Sequence, residues 1–328
     1  MLKYILKRIG LSIVILLGVS LILYILVRCM PTKFIDQKIA QINQGGAQVT
    51  DEMIENMRQM YGLTDETFVG YLKGYGSWLF NLIQFKLGDS FIEGLPVMDV
   101  IVNHMGVSFA VAFIAIIFEY LIAIPLGITA ATHQYSIRDY VVTILVVLGL
   151  SLPSFFFARA LQSLVYNWTG FYSSGLLATG YEKGFNLIFT ALKFMALPLI
   201  SIVLLGVGGT VRYTRTNMLD VLNADYIRTA RAKGLSEGKV IYKHAFRNTM
   251  IPIVTMLAGV LPSLFSGAMI TEQIFDLPGI GNVALKCMTA GDIPFIMGYN
   301  MFLAFLSVIG VLLSDLMYMV VDPRVKLA

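Results

Sequence analysis

Chemistry needs reactive side chains at workable spacing, and this sequence offers few. The histidines His104, His133 and His244 are dispersed, Cys29 and Cys287 stand alone, and no spacing fits a metal site. No G-x-x-x-x-G-K-[ST] run is present, so the chain has no phosphate-cradling loop. The glycines at 206–209 lie in an apolar stretch with no lysine behind them, which reads as close helix packing. What remains is charge in two unusual settings. Residues 225–248, "DYIRTARAKGLSEGKVIYKHAFRN", hold six Lys or Arg in a chain with only 13% charged residues. Glu119, Arg159, Lys193 and Asp315 fall inside apolar runs, where an ionised group costs on the order of 3 kcal/mol unless it finds a partner or water. The first setting suits docking; the second suits a path for a polar solute or an internal ion pair. Neither makes a catalyst, so the expectation is a chain without enzymatic activity that binds no cofactor or metal of its own.

The elements that position these residues follow from the composition. With 57% hydrophobic residues and a mean hydropathy of +0.76, too few polar side chains remain to cover a soluble globule. Apolar runs long enough to cross roughly 30 Å of hydrocarbon recur six times, near 9–28, 104–131, 140–166, 186–211, 249–271 and 294–320. The first run follows Lys3, Lys7 and Arg8, but it is long for a signal peptide and no small-residue cleavage site follows, so it is expected to stay as a helix. Arg28 ahead of Cys29 excludes a lipoprotein reading, and no disulfide to Cys287 is expected. The chain thus divides into a first membrane helix at 1–30, an outer segment at 31–103, and a core of five membrane helices at 104–328 that contains a cytoplasmic loop at 212–248.

Charge sets the orientation. With the N-terminus inside, segments 1–8, 132–139, 212–248 and 321–328 carry 14 Lys or Arg against 5 Asp or Glu, while the outer segments carry 7 against 13. Basic residues concentrate on the cytoplasmic side of membrane proteins, so both termini and the 212–248 loop are predicted to be cytoplasmic. Attraction to anionic lipid, about 1 kcal/mol per basic residue, explains charge in such a loop but not its order. Asp225 is placed to cap a helix through Tyr226 and Arg228, Gly234 can take the left-handed conformation that ends it, and Ser236 can start a second helix. A short surface helix of this kind fits a groove on a cytosolic partner.

Here the sequence resembles the permease subunits of ABC importers of the dipeptide, oligopeptide and nickel type, in particular their B-type peptide permeases. "RTARAKG" at 228–234 and "HAFRN" at 244–248 match the peptide-permease form of the family's EAA loop, with Arg228, Thr229 and Ala230 standing where other importers have Glu-Ala-Ala. "YTRTNMLDVL" at 213–222, "TEQIFDLPGIGN" at 271–282 and "DLMYMVVDPRV" at 315–325 agree in order and spacing. "MYGLTDETFVGYLKGYGSWL" at 60–79 with "LGDSF" at 87–91 is similar to the family's outer region. Arg159 and Glu119 depart from the usual apolar pattern, and residues 31–50 match nothing in it.

The resemblance implies a type I importer permease: an all-α fold of six membrane helices in a bacterial inner membrane, providing the path for peptides, or for nickel or another small solute. It implies a homologous second permease, two cytosolic ATPases that use ATP and Mg, and an extracytoplasmic solute-binding protein. It makes 225–248 a coupling loop, with Asp225, Tyr226, Arg228, Thr229, Ala230, Arg231, Lys233, Gly234, His244 and Asn248 as its working residues. Glu119, Arg159, Glu272, Phe275 and Asp315 are candidates for the path or its outer gate, with a Glu119–Arg159 ion pair as the other reading of the first two. A self-sufficient ion-coupled transporter using Glu119 and Asp315 is the competing class. In the acidic outer segment, helix-like spacing at 53–60 and 67–85 brings Tyr61, Tyr71, Tyr75, Trp78 and Phe80 together as an amphipathic cap.

Overall fold

The computed structural model describes residues 2–30, 32–44, 49–61, 67–175, 185–266 and 268–321. Among them the chain is helical and has no named strand, with one isolated antiparallel bridge, Asp89 to Pro96, in the loop ahead of the core. The first four helices are α1 (Leu2–Arg28), α2 (Thr32–Gln44), α3 (Asp51–Met60) and α4 (Phe68–Ile83). Then come α5 (Val97–Thr132), α6 (Ile137–Ser151), α7 (Ser154–Thr169), α8 (Phe185–Leu222) and the short α9 (Asp225–Ala232). A π-helical segment (Lys239–Ala245) leads into α10 (Phe246–Ser266), followed by α11 (Met269–Ile274), α12 (Ile280–Ala290) and α13 (Ile293–Val321).

Among the described residues four helical stretches are long and apolar enough to cross a membrane, Leu6–Arg28, Val97–Thr132, Thr190–Leu222 and Ile293–Leu313, or five if the bent pair α6 and α7 is one span. The expected third span, 140–166, is not one straight helix: α6 and α7 meet at 101°. Proline is the cause. Pro153 precedes α7 as its N-cap, and the residue before a proline is pushed out of the helical region, which leaves Leu152 extended at ψ 126°. The expected fifth span, 249–271, also shifts. Its helix, α10, has 21 residues and stops at Ser266, and Thr271 belongs instead to the separate α11.

The centre of the bundle is the pairing of α5 with α8, the most extensive helix contact in the chain. Glycine permits it. A Cβ on Gly127 would lie 2.7 Å from the Thr214 side chain, and one on Gly206 would overlap the Glu119 carboxyl. Gly208 approaches the Val146 carbonyl of α6 in the same way, so two of the glycines at 206–209 pack as the sequence suggested, while Gly209 faces open space. With 36 residues α5 is about 54 Å long, more than a bilayer needs, so both of its ends are structural joints. Val97, Val100 and Ile101 at its start pack with α12 and the start of α13, while Ile128 and Ala131 near its end pack beneath α9.

The segment ahead of the core, α2 to α4, folds against α1 and α13. Thr50 and Thr67 cap α3 and α4 by accepting the backbone N–H groups of Met53 and Gly70. Tyr24 of α1 stacks on Trp78 of α4 and donates its hydroxyl to the carbonyls of Tyr61 and Tyr71. Tyr61, Tyr75 and Trp78 therefore join one aromatic cluster, whereas Phe80 is 64% exposed. Cys29 is exposed, Cys287 is buried, and both are free thiols.

Candidate functional site

The loop between α8 and α10 is built on an amphipathic helix. In the two turns of α9, Ile227 and Ala230 are spaced three apart and so share one face. That face is buried against Ile128 and Ala131 of α5, Met218 of α8, and Val240 and Ala245 of the π-helical segment. Asp225, Tyr226, Arg228, Thr229, Arg231 and Lys233 are exposed. Ala230, one of the loop residues named from the sequence, is thus turned inward and anchors the helix. Asp225 is also not the cap: Ala224 occupies that position without a side-chain bond, and Asp225 is the first helical residue, where its charge still complements the helix dipole. It lies 3.6 Å from Arg228 in an exposed pair, while Thr229 returns its hydroxyl to the Asp225 carbonyl.

Gly234 ends the helix in the left-handed conformation, at φ +75°, and its N–H reaches the Arg231 carbonyl at 2.9 Å. Arg231 then closes the turn with a two-point bond to Glu237, at 2.7 and 3.2 Å. This guanidinium holds the Glu237 carboxyl below its ordinary range. Past the turn, residues 237 and 238 are helical after Ser236, as expected, and the register widens at Lys239. The Phe246 N–H bonds the Ile241 carbonyl, a five-residue step that lets Val240 and Ala245 face inward together. His244 is half-buried, and its carbonyl accepts the Asn248 side chain. Outside this seam a continuous exposed surface runs over 231–239, flanked by Tyr226 and Tyr242 at 48% and 64% exposure.

Beneath the loop lies a clamp absent from the sequence reading. Arg215 of α8 grips Asp139 of α6 through two bonds of 2.8 Å, and the Tyr135 N–H adds a third to the same carboxylate. Asp139 is 4% exposed. The spacing Ser136-x-x-Asp139 signals a helix start, and Ser136 does accept the Asp139 N–H, but nothing in the sequence pairs Asp139 with a residue 76 positions away.

The candidate path residues do not converge. Glu119 accepts the Thr210 hydroxyl across the α5–α8 seam, whereas the exposed Arg159 donates to Gln162 and Tyr172. Of the two readings of these residues, the Glu119–Arg159 ion pair is not formed, since each has its own local partners. Lys193 sits 4.6 Å from the Phe171 ring centroid. Asp315 belongs to α13, but its side chain lies outside the described residues. Phe275 is fully buried against Val111, Ala158 and Leu197.

Glu272 is 1% exposed and saturated with donors: the Ser108 hydroxyl at 2.7 Å and the backbone N–H groups of Ala268 and Asn282. Ser108 in turn accepts the Ile280 N–H at 2.8 Å. A Cβ on Gly279 would fall on the Glu272 carboxyl, which is why the Pro-Gly turn carries glycine there. Burial pushes the Glu272 carboxyl up, against the pull of these hydrogen bonds.

A second carboxylate of this type, Asp292, went unrecognised in the sequence. It caps α13 through the Phe295 N–H and binds the Ser90 hydroxyl at 2.6 Å and the Ile92 N–H, tying the 85–96 loop to the α12–α13 corner. Burial pushes its carboxyl up as well. Its signal was legible, since an Asp just before an apolar helix with proline in the first turn is a helix start. Among the described residues no group of three or more His, Cys, Asp or Glu is arranged to hold a metal ion.

Comparison with known proteins follows the same outline. The family model of the binding-protein-dependent transport system inner membrane component matches residues 123–327, and the N-terminal model of the same systems matches residues 1–112. The chain is 35% identical to the oligopeptide transport system permease protein AppB of Bacillus subtilis, covering 99% of this chain and 100% of that one. It is 30% identical to the dipeptide transport system permease protein DppB of Alkalihalophilus pseudofirmus, over 99% and 100% of the two chains. In fold it is similar to a chain of the inward-facing MetNI methionine ABC transporter, with a TM-score of 0.50, 16% identity, and coverage of 69% of this chain and 97% of the other.

Proposed function

The chain belongs to the binding-protein-dependent transport system inner membrane components, and from that premise we propose that it is the permease subunit of an ATP-driven ABC importer of peptides. One observation carries the mechanical part. The α9 helix, its glycine turn and the π-helical segment present an exposed polar and aromatic surface, while Ile227, Ala230 and Val240 bolt the same elements to α5 and α8. Force applied to α9 by a cytosolic ATPase would reach α8 and α10 directly, because the loop is the connection between them. The Asp139–Arg215 clamp would carry the same displacement to α6. A change of this kind needs contacts that differ in energy between two states, which a rigid helix seated in a closing groove supplies.

In this reading Asp225, Tyr226, Arg228, Thr229, Arg231 and Lys233 meet the ATPases, Gly234 sets the angle of the loop, and both termini are cytoplasmic in a bacterial inner membrane. ATP and Mg belong to two ATPase partners. A homologous second permease completes the path, because one chain with these few spans encloses too little space for a peptide, and a solute-binding protein delivers the cargo from outside. The peptide assignment rests on the relatives named for oligopeptide and dipeptide transport. Mild-detergent purification of the tagged chain from its host tests the assembly. Recovery of ATPase subunits and a second permease is expected; recovery of the chain alone, while other membrane complexes survive the same detergent, favours a self-sufficient transporter.

A further inference from the structure

The end of the bundle opposite α9 carries two openings that share a wall. One is a cavity of about 670 Å³ between α3, α4, the 85–96 loop and the start of α13. Its lining is mixed: beside methionines and prolines, Asn56, Gln59 and Asn81 supply amides, and Lys86, Asp89 and Asp99 supply charge. The other is a groove of about 400 Å³ between α1, α4, α5 and α13, lined by apolar side chains such as Leu17, Leu79, Ile83 and Phe305. Its single polar side chain, Ser20, is committed to the Tyr75 hydroxyl and the Leu17 carbonyl. Phe85, Leu87 and Met98 line both spaces, so polar head and apolar tail form one continuous cleft.

Dimensions and chemistry select the occupant. Pro294 borders the cavity and Phe305 the groove, a separation of eleven residues along α13, or about 16 Å, close to half of the roughly 30 Å hydrocarbon thickness. Cavity and groove together therefore run about the depth of one leaflet, the groove lying between two membrane-spanning helices, and its rim is open: Ile13, Ile83 and Phe305 are 52%, 70% and 49% exposed. At its head one lysine faces two aspartates, and none of the three makes an ion pair with another described residue. A neighbouring helix would cover the apolar groove but offers nothing to that charged head.

We infer that this cleft holds one membrane phospholipid with a zwitterionic head group, its acyl chain in the α1–α13 groove, its phosphate at Lys86 and its ammonium group at Asp99 and Asp89. An anionic phospholipid supplies the phosphate but leaves both carboxylates facing negative charge.

The full-length chain, purified with its partners, is exchanged into nanodiscs of equal phosphatidylethanolamine and phosphatidylglycerol, extracted into detergent, washed, and its retained lipid measured by mass spectrometry. Retention of phosphatidylethanolamine over phosphatidylglycerol is expected. Leu17→Trp with Ile83→Trp, filling the groove, should lower retention by about tenfold. Asp99→Lys, at an exposed position in the first turn of α5, should turn the preference toward phosphatidylglycerol. Equal retention of the two lipids, or a preference unmoved by Asp99→Lys, overturns the inference. So does a photocrosslinker at Ile83 that captures a protein neighbour instead of lipid.

Discussion

On the surface of α9 and its turn the charged side chains stand in solvent, with Arg228 at 73% side-chain exposure, Lys233 and Lys239 exposed, and Arg231 in a two-point bond to the exposed Glu237. At the opposite end Glu272 and Asp292 are almost wholly buried, and each carboxylate is surrounded by hydroxyl and backbone donors. The two ends use charge for different purposes. An exposed cation is worth little until a partner desolvates it, so a surface of such groups is suited to contacts made and broken. A buried carboxylate with several donors holds its neighbours in one geometry, because removing it strands every donor at once. The first end is arranged to be moved by something else; the second is arranged to keep its own shape.

The comparison breaks most readily at Glu272. Glu272→Ala leaves the Ser108 hydroxyl and two N–H groups without their acceptor, and a loss of about 3 kcal/mol or more is expected, seen as reduced yield and thermal stability in detergent. Glu272→Gln keeps the shape and an acceptor oxygen and should lose less.

At the other end Gly234 should affect coupling rather than stability. Nothing lies within 4 Å of a Cβ added there, so the cost of substitution is the left-handed backbone alone, about 1–2 kcal/mol for an ordinary residue and more for a β-branched one. Gly234→Val should let the complex assemble yet uncouple ATP hydrolysis from uptake in proteoliposomes. Gly234→Asn, which tolerates that conformation, should retain most transport. Equal effects of Val and Asn would remove the turn from the mechanism. Between the two ends in size, Asp139→Ala strands Arg215 beneath the loop and should reduce the uptake gained per ATP, with Asp139→Glu partly restoring it.

A pH titration distinguishes the two ends by sign. The Glu272 and Asp292 carboxyls are raised in the folded chain, by burial first. Their contribution is therefore present at low pH and is lost as pH rises from the unfolded value of about 4 through the raised folded value. Glu237, lowered by Arg231, contributes above the unfolded value and loses this as pH falls through its lowered folded value. Thermal stability against pH for the wild type, Glu272→Gln and Arg231→Gln separates the terms, and the exposed Glu237 term should be the smaller. The smallest single effects belong to the exposed cations. Lys233→Glu and Lys239→Glu should each weaken ATPase association modestly, with the difference shrinking at high salt.

Composition and motif order were sufficient for the helical membrane class, the position of the α9 loop and its glycine turn, because these depend on local quantities: apolar run length and a residue free to take positive φ. The pattern 227, 230 is likewise a local signature of an inward face, and it puts Ala230 of the motif on the buried side of the loop. The bend at Pro153 was also written locally, since proline restricts the residue before it, although the size of the turn, 101°, was not.

Tertiary structure alone decided the rest. Glu119 and Arg159, costly charges in apolar runs, could on sequence either pair or line a path; the fold gives each its own partner, Thr210 for one and Gln162 with Tyr172 for the other. Asp139 with Arg215, Ser108 with Glu272 and Ser90 with Asp292 join residues 76, 164 and 202 positions apart. Local sequence supplies the hydrogen-bonding groups and the helix each one rides on. Which groups meet depends on how α5, α8 and α13 cross, and that is set by the summed packing of the whole bundle.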